Sequence, residues 1–497
     1  MHETSATGLR EKALRGGVSK LVSQGVMFVT KIGSMAALGR MLDPRDFGLI
    51  AMVTAVTGVL SLVKDAGLSL PTVQRATITN AQLSNLFWLN VLVGMILTLI
   101  CIVLAPVLAS FYHESRLVGV TLAIAPAFLI MGLGVQHNAI LTRQMRFPVY
   151  AAIDVTSVIV SAVVGIGMAL LGFGYWSLVG SSLATPIVST VGAWWAVRWI
   201  PDRPRRGTDL GSMLRLGGAL TLNGIIIYVA YNTDKVLLGR FWGAAAVGSY
   251  GRAYQLINIP SDNLNGALGA VALSALSRLQ HDPPRQKSYF LKGYSLSVAL
   301  TVPVTIVCAI FSQEVVALVL GPKWVDTAGI VQLLAPTILV FALINPMFWL
   351  VFSAGMMGRS LLTAVVIAIL VISAYVVGLP YGPRGVASSF SIAMTLYIVP
   401  HLMWCISGTN VTLADLFRTA GKPLIAGLAA GAACIAFRQI AMDWPSLLRL
   451  MVGSVLLAGM YGLVLLFVLG QRAFYVDIFR TVFGRRTATG AMPDVTG

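Results

Sequence analysis

Charged residues are scarce in this chain, and their scarcity excludes most kinds of soluble protein. Only 11% of the 497 residues are Asp, Glu, Lys or Arg, whereas 57% are hydrophobic. A soluble domain carries about 25% charged residues, because its surface has to be hydrated. Apolar runs of about 20 residues recur along the sequence instead, and each can cross a bilayer as a helix. We therefore expect an all-α polytopic membrane protein and exclude a cytosolic enzyme or a DNA-binding protein.

The residues that catalysis and metal binding require are also few. The four cysteines stand alone in separate apolar runs, so they define neither a disulfide framework nor a metal site, and we expect them to be buried. The five histidines are scattered, and the sequence contains neither a phosphate-binding loop nor an H-E-x-x-H zinc motif. We predict no metal site, no cofactor and no enzymatic activity.

The sequence does contain about 14 predicted membrane spans, separated by short polar connections. The spans are 17–38, 47–68, 83–107, 117–137, 149–171, 175–197, 213–236, 244–270, 291–311, 327–352, 360–378, 385–406, 421–438 and 447–470. Six of them precede a basic linker, six follow it, and two close the chain. This order predicts two six-helix pseudo-repeat bundles around a central cavity, followed by two additional helices.

These predictions divide the chain into five segments. They are an N-terminal bundle at 1–200, a cytoplasmic basic linker at 201–212, a C-terminal bundle at 213–408, the two additional transmembrane helices at 409–470, and a cytoplasmic basic tail at 471–497.

The formal net charge of +17 is explained by the loops. Roughly 21 of the 35 Lys and Arg residues lie in loops and tails on the side of the N terminus, and about 8 lie on the other side. Basic loops stay in the cytoplasm, so we expect a multi-pass protein of the cell inner (cytoplasmic) membrane with both termini cytoplasmic. The positive charge then requires no nucleic-acid partner.

An internal repeat is visible at an offset of 200 residues. Leu38-Gly39-Arg40 returns as Leu238-Gly239-Arg240, and Gly48 returns as Gly248. An even number of spans in each repeat gives both halves the same orientation, an arrangement that recurs among transporters.

Polar residues recur as stripes at helical spacing inside several spans, such as Thr54, Thr57 and Ser61 in the second, Asp154, Ser157 and Ser161 in the fifth, and Thr221, Tyr228 and Asn232 in the seventh. A charge at the centre of a membrane helix costs about 2.5–3.5 kcal/mol, so these side chains must face a water-filled cavity or one another. We predict that the cations bind substrate, that the carboxylates serve coupling or pair helices, and that the amides line the cavity. The cations are Lys20, Lys31, Lys64, Lys235 and Arg252; the carboxylates are Asp154 and Asp234; the amides are Gln24, Asn232 and Gln255.

Structural explanations remain open for some of these residues. Lys20, Lys64 and Lys235 lie near span ends, where a lysine can extend to the membrane surface. Asp234 could pair with a lysine and hold two helices in register rather than serve coupling.

Two sequence motifs carry a resemblance to a known family. They are Tyr231-Asn232-Thr233-Asp234-Lys235-Val236-Leu237-Leu238-Gly239-Arg240 with Gly248-Ser249-Tyr250 and Ala253-Tyr254, and Leu38 to Gly48 with Gly67-Leu68. The chain resembles the polysaccharide transporter family, which comprises Wzx-type O-antigen and exopolysaccharide flippases of the multidrug/oligosaccharidyl-lipid/polysaccharide exporter superfamily. The similarity extends over roughly the first 400 residues and identifies the family without identifying the sugar.

This resemblance implies a flippase for lipopolysaccharide or exopolysaccharide biosynthesis. Its substrate would be an undecaprenyl-diphosphate-linked oligosaccharide, moved by alternating access to the outer leaflet, and its partners the bilayer and the polymerase and export machinery of the same pathway. A drug/cation antiporter of the same superfamily is an alternative, although it would favour a cavity dominated by carboxylates. A polyprenyl-linked glycan polymerase or ligase is a lesser alternative, since neither a catalytic Asp motif nor a long loop is present.

Overall fold

The computed structural model describes residues 6–64, 69–75, 77–204, 211–353, 356 and 358–483, and within these ranges the chain is helical. The α-helices are α1 Ala6–Met41, α2 Pro44–Val63, α3 Ser69–Gln74, α4 Asn80–Tyr112, α5 Arg116–Ile124, α6 Pro126–Arg143, α7 Phe147–Leu170, α8 Trp176–Val197, α9 Gly211–Arg278, α10 Pro283–Ile310, α11 Ser312–Val319, α12 Val325–Leu334, α13 Pro336–Ile344, α14 Pro346–Ser353, α15 Gly358–Gly378, α16 Gly382–Ile406, α17 Leu413–Ile440, α18 Ser446–Leu463 and α19 Arg472–Phe483. Short 3₁₀ turns lie at Pro322–Trp324 and Leu379–Tyr381, and a π-helical turn lies at Val464–Val468.

Local sequence signals determine where several of these helices begin and break. Thr79 begins α4 with a capping box, because its hydroxyl accepts from the Gln82 backbone N–H (3.3 Å) while its own N–H donates to the Gln82 side chain (3.0 Å). Pro336 and Pro346 stand at the first positions of α13 and α14, so the predicted span 327–352 is divided into three helices. Proline has no N–H to donate to the preceding turn.

The long helix α9 joins two predicted spans. Its backbone leaves helical geometry at Gly243, where φ is 80°, a conformation that glycine adopts without strain. The residues before this kink correspond to the predicted span 213–236, and those after it to 244–270.

Nine stretches of the described chain are long and apolar enough to cross a membrane. They are Pro44–Val63, Asn80–Tyr112, Arg116–Arg143, Phe147–Leu170, Pro283–Ile310, Pro336–Ser353, Leu361–Ile406, Leu413–Ile440 and Ser446–Val468. The all-α membrane fold is therefore confirmed, whereas the count of 14 spans and the division into two six-helix bundles stay predictions.

The chain forms two compact units. Unit 1 consists of Met1–Ile259, Ser312–Thr337 and Met356–Tyr397. Its core is built from large apolar and aromatic side chains that are less than 2% exposed: Leu49, Met52, Leu86, Leu117, Tyr250, Trp324, Tyr375 and Phe390.

Unit 2 consists of Pro260–Phe311, Ile338–Gly355 and Ile398–Gly497. Helix α18 packs closely in this unit, because a Cβ at Gly453 would lie 2.4 Å from the Phe311 ring. The Tyr461 hydroxyl donates to the Ala299 carbonyl oxygen (2.9 Å). The four cysteines, which lie in both units, are free and buried, as predicted.

Candidate functional site

The predicted cavity cations differ in their surroundings. Lys31 on α1 is exposed, whereas Lys64, Lys235 and Arg252 are half-buried. The Lys64 ammonium lies 3.6 Å from the Met131 sulfur. The side chain of Lys20 lies outside the described residues.

Lys235 and Arg252 are both held by neutral groups of unit 1. The Lys235 ammonium donates to Asn232 Oδ1 (2.7 Å) and lies 5.5 Å from the centre of the Tyr254 ring. The Arg252 guanidinium stacks at 4.1 Å from the centre of the Phe47 ring and donates to Gln255 Oε1. Aromatic faces attract cations through their π electrons, so both rings favour the positive side chains that lie against them.

The two predicted carboxylates occupy different environments. Asp154 on α7 is half-buried, and its carboxyl group interacts electrostatically with the ammonium group of Lys31. Asp234 on α9 is 0% exposed. One of its oxygens accepts from the Lys235 backbone N–H (2.6 Å), whereas Oδ2 has no hydrogen-bond partner in the described chain.

Tyrosines of two helices interact with Asp234, and an aromatic residue of a third helix packs against one of them. Tyr250 on α9 and Tyr375 on α15 interact electrostatically with its carboxyl group, and both tyrosines are fully buried. The ring of Phe390 on α16 lies 5.4 Å from that of Tyr375 and 6.3 Å from that of Tyr254. Sequence reasoning did not predict Tyr375 or Phe390 as part of the site.

The stripes of polar residues on spans 2 and 7 meet in unit 1. The Tyr228 hydroxyl donates to the carbonyl oxygen of Thr54 on α2 (2.7 Å). It also lies against Gly58, where a Cβ would be 1.8 Å from the hydroxyl oxygen, so a larger residue at that position would displace the tyrosine.

Other predicted polar residues are explained by helix packing. On α7, the Ser161 hydroxyl bonds to the hydroxyl and the carbonyl oxygen of Ser181 on α8, both at 2.8 Å. The Thr57 hydroxyl donates to the Val53 carbonyl of its own helix (2.9 Å). Gln24 and Gln255 are exposed, and Asn232 is half-buried. The functions predicted for the ten site residues stay predictions.

Comparison with known proteins supports one family. The chain matches the family model described as "Polysaccharide biosynthesis protein" over residues 37–329. It is similar to the lipopolysaccharide biosynthesis protein WzxC of Escherichia coli (strain K12), with 25% identity over 381 residues that cover 74% of this chain and 76% of WzxC. The succinoglycan biosynthesis transport protein ExoT of Rhizobium meliloti (strain 1021) is 23% identical over 321 residues, or 64% of each chain.

Among solved structures, the lipid II flippase MurJ in an inward closed conformation has the same fold. The TM-score is 0.73 at 12% sequence identity, over 94% of this chain and 100% of MurJ. The family model covers more than half of the chain, so the family predicted from the sequence motifs is confirmed. The chain belongs to the family of polysaccharide biosynthesis proteins.

Proposed function

We propose that this protein is a flippase for lipid-linked oligosaccharides. It moves undecaprenyl-diphosphate-linked repeat units from the inner to the outer leaflet of the cytoplasmic membrane, with both of its termini in the cytoplasm. The product serves lipopolysaccharide or exopolysaccharide biosynthesis, together with the polymerase and export machinery of that pathway. The names of two similar proteins support this proposal, since ExoT is named as a transport protein and MurJ as a flippase.

The observation that carries the proposal is a set of cations on predicted membrane spans that form no direct ion pair with the residues the structure describes. In the described chain, no carboxylate oxygen lies within 4.0 Å of the Lys31, Lys235 or Arg252 side-chain nitrogens. Each unpaired charge costs about 2.5–3.5 kcal/mol in a membrane helix, so its retention indicates a function. A diphosphate supplies the missing negative charge, and lysine and arginine are the side chains that bind it.

The physical problem of flipping fits this set of cations. A diphosphate with a sugar chain cannot cross hydrocarbon unaided, because it would lose its hydration. We infer that the cations screen the diphosphate within the cavity predicted between the two repeats, while the prenyl chain stays in lipid. Rocking of the two repeats would then expose the site alternately to each side.

Asp234 is our candidate for the coupling residue. Its carboxyl group is fully buried, and within the described chain no lysine or arginine side-chain nitrogen lies within 4.0 Å of it. The alternative function of pairing with a lysine therefore has no ion pair to support it here. Buried carboxyl groups in transporters commonly bind a proton or a cation during the cycle.

The proposal is tested by flipping in reconstituted vesicles. Purified protein is placed in liposomes with a labelled undecaprenyl-diphosphate-linked glycan, and the label that reaches the opposite leaflet is measured with a membrane-impermeant glycosidase. A hydrogen bond to a charged group contributes about 1.5–3 kcal/mol, so we expect Lys235→Ala to slow flipping by about tenfold to a hundredfold. Lys292→Ala is the matched control, because Lys292 pairs with Asp477 (3.2 Å) in unit 2.

Two results would contradict the proposal. One is wild-type protein that leaves the lipid-linked glycan in its original leaflet while exchanging lipophilic cations for protons, which is the activity of a drug antiporter. The other is equal flipping by the Lys235→Ala and Lys292→Ala variants, which would remove the cation from the transport path.

A further inference from the structure

The two repeated Leu-Gly-Arg motifs each contact a helix end in the other half of the sequence. Arg40 donates to the carbonyl oxygens of Leu318 (2.5 Å) and Val319 (3.3 Å) at the end of α11. Arg240 donates to Nε2 of His113, the residue that ends α4 (2.6 Å). The arginine of each half therefore binds the opposite half, and all five residues belong to unit 1.

The glycines of the two motifs occupy equivalent positions. Gly39 faces Leu320, the residue after α11, and a Cβ there would lie 3.2 Å from its carbonyl oxygen. Gly239 faces Tyr112 at the end of α4, where a Cβ would lie 2.6 Å from the ring. Both arginines reach their partners because a glycine beside each one lets the helices approach.

A second contact repeats the same relation. A Cβ at Gly48 would lie 1.8 Å from the Ala244 carbonyl oxygen, and one at Gly248 would lie 1.7 Å from the Pro44 carbonyl oxygen. Pro44 and Ala244 are separated by 200 residues, as are Gly48 and Gly248. The contact is therefore reciprocal between repeats, and it joins the first turn of α2 to the part of α9 that follows the kink.

The arginine contacts differ from the glycine contacts in how easily they can separate. The last carbonyls of a helix lack partners within it, so a guanidinium satisfies them and interacts favourably with the helix dipole. Arg40 is exposed, and water can therefore replace either partner when the contact opens. On the His113 ring, Nδ1 bonds to the Ser110 carbonyl (2.8 Å), which leaves Nε2 to accept from Arg240.

We propose that Arg40 and Arg240 form a reversible latch between the two halves of the sequence. The arginine latch consists of Arg40 on the Leu318 and Val319 carbonyls and of Arg240 on His113. It holds these helix ends together in one state of the transport cycle and releases them when this end of the protein opens. The inference rests on the proposed alternating access and adds the residues that control one side of it.

The latch is tested by the accessibility of a reporter thiol. Val247, which is fully buried beside Gly248, is replaced by the slightly smaller cysteine in Val247→Cys, and its reaction with a membrane-impermeant maleimide is timed in purified protein. We expect Arg40→Ala and Arg240→Ala each to speed labelling by about fivefold, and the double variant to speed it by more than either. Both arginine contacts stabilise the same closed state, so their loss shifts the same equilibrium towards the open state. Arg384→Ala is the matched control, since Arg384 pairs with Asp326 of its own half (3.7 Å) and should leave the rate unchanged.

Unfolding is recognised by a second thiol. Cys434 in unit 2 is fully buried, so its labelling rises only when the fold is lost. Where an alanine variant labels Cys434, Arg40→Lys takes its place, because lysine keeps the charge but lacks the planar fork that reaches two carbonyls. Its labelling rate should lie above that of the wild type.

An unchanged rate in the double variant, or in Arg40→Lys where alanine unfolds the protein, would overturn the latch. The labelling assay contains no lipid-linked glycan. A failure of the latch therefore leaves the proposed flippase untouched, and a failure to flip glycan leaves the labelling result valid.

Discussion

Charges at the helix ends and charges within the predicted membrane spans have different partners in this protein. At the end of α4, Glu114 accepts from Arg45 and from Arg116, both at 2.9 Å. At the start of α17, Asp415 lies 2.6 Å from Lys287. Within the helices, Lys235 and Arg252 instead contact amide oxygens and aromatic rings.

The difference separates charges that contribute to the stability of the fold from charges that reduce it. An ion pair at a helix end is partly hydrated and contributes about 0–1 kcal/mol, so its removal changes little. An unpaired cation in a membrane helix opposes stability, and its presence has to be explained by activity. We therefore expect substitutions of the unpaired cations within the helices to damage transport and those in the helix-end ion pairs to affect stability slightly.

The largest effect is expected at Lys31. Lys31→Ala should reduce flipping of the lipid-linked glycan by about tenfold or more, because a cation that we propose binds the diphosphate is lost. Insertion into the membrane should be preserved or improved, since removal of the charge favours it. Lys31→Arg should retain part of the activity if charge alone is required.

The control for Lys31 lies at a helix end. Lys323 pairs with Asp43 (2.8 Å), and Lys323→Ala should flip glycan at the wild-type rate. Full polymer export by a strain carrying Lys31→Ala would show that Lys31 is not required for transport. The expected contrast between charges within the helices and ion pairs at the helix ends would then be contradicted.

An intermediate effect is expected at the buried carboxyl group. Asp234→Asn keeps the size of the side chain and most of its hydrogen bonding, so the fold should persist while coupling is lost. We expect flipping in a proton or Na⁺ gradient to fall by a few-fold, to the rate measured without a gradient.

Asp154→Asn is the companion variant for this experiment. Asp154 is only half-buried, so its charge is less costly than a charge on the fully buried Asp234, and we expect its gradient response to stay close to that of the wild type. Unchanged rates and unchanged gradient responses in both variants would exclude both residues as the coupling site.

The helices could be predicted from the sequence because each depends on a local apolar run. Where the structure describes them, the 14 predicted spans fall on helices, although α9 joins two of them through the kink at Gly243. Periodicity locates a helix but does not reveal whether its neighbour continues the same axis. The offset of 200 residues likewise predicted which segments are equivalent, whereas only the structure places Gly48 against the Ala244 backbone.

The site was predicted less completely, for a physical reason. A lysine in an apolar run is conspicuous, because its cost in a membrane is large. Tyr375 is an ordinary residue of an apolar helix, and it joins Asp234 only through packing between segments about 140 residues apart; Phe390 joins the same cluster by packing on Tyr375. Ser161 shows the other outcome that polar spacing allows, because its hydroxyl bonds to Ser181 on α8.

The smallest effect is expected at Glu114, the best-paired carboxylate of the helix ends. The hydrogen bond from Arg116, with a further one from Arg45, holds the pKa of Glu114 below its ordinary value. A carboxylate whose pKa is lowered by folding stabilises the protein above its unfolded pKa of about 4.3, and the contribution is lost as the pH falls through the lower folded value. Glu114→Gln should therefore lower the free energy of unfolding by about 0.5–1 kcal/mol at pH 7, and this deficit should shrink below about pH 4.

Thermal unfolding of the wild type and the variant in detergent, from pH 7 to below about pH 4, measures the deficit, while glycan flipping at pH 7 should be unchanged. A deficit that persists at low pH would mean that Glu114 acts through packing, and a loss of flipping would place a helix-end ion pair in the transport path.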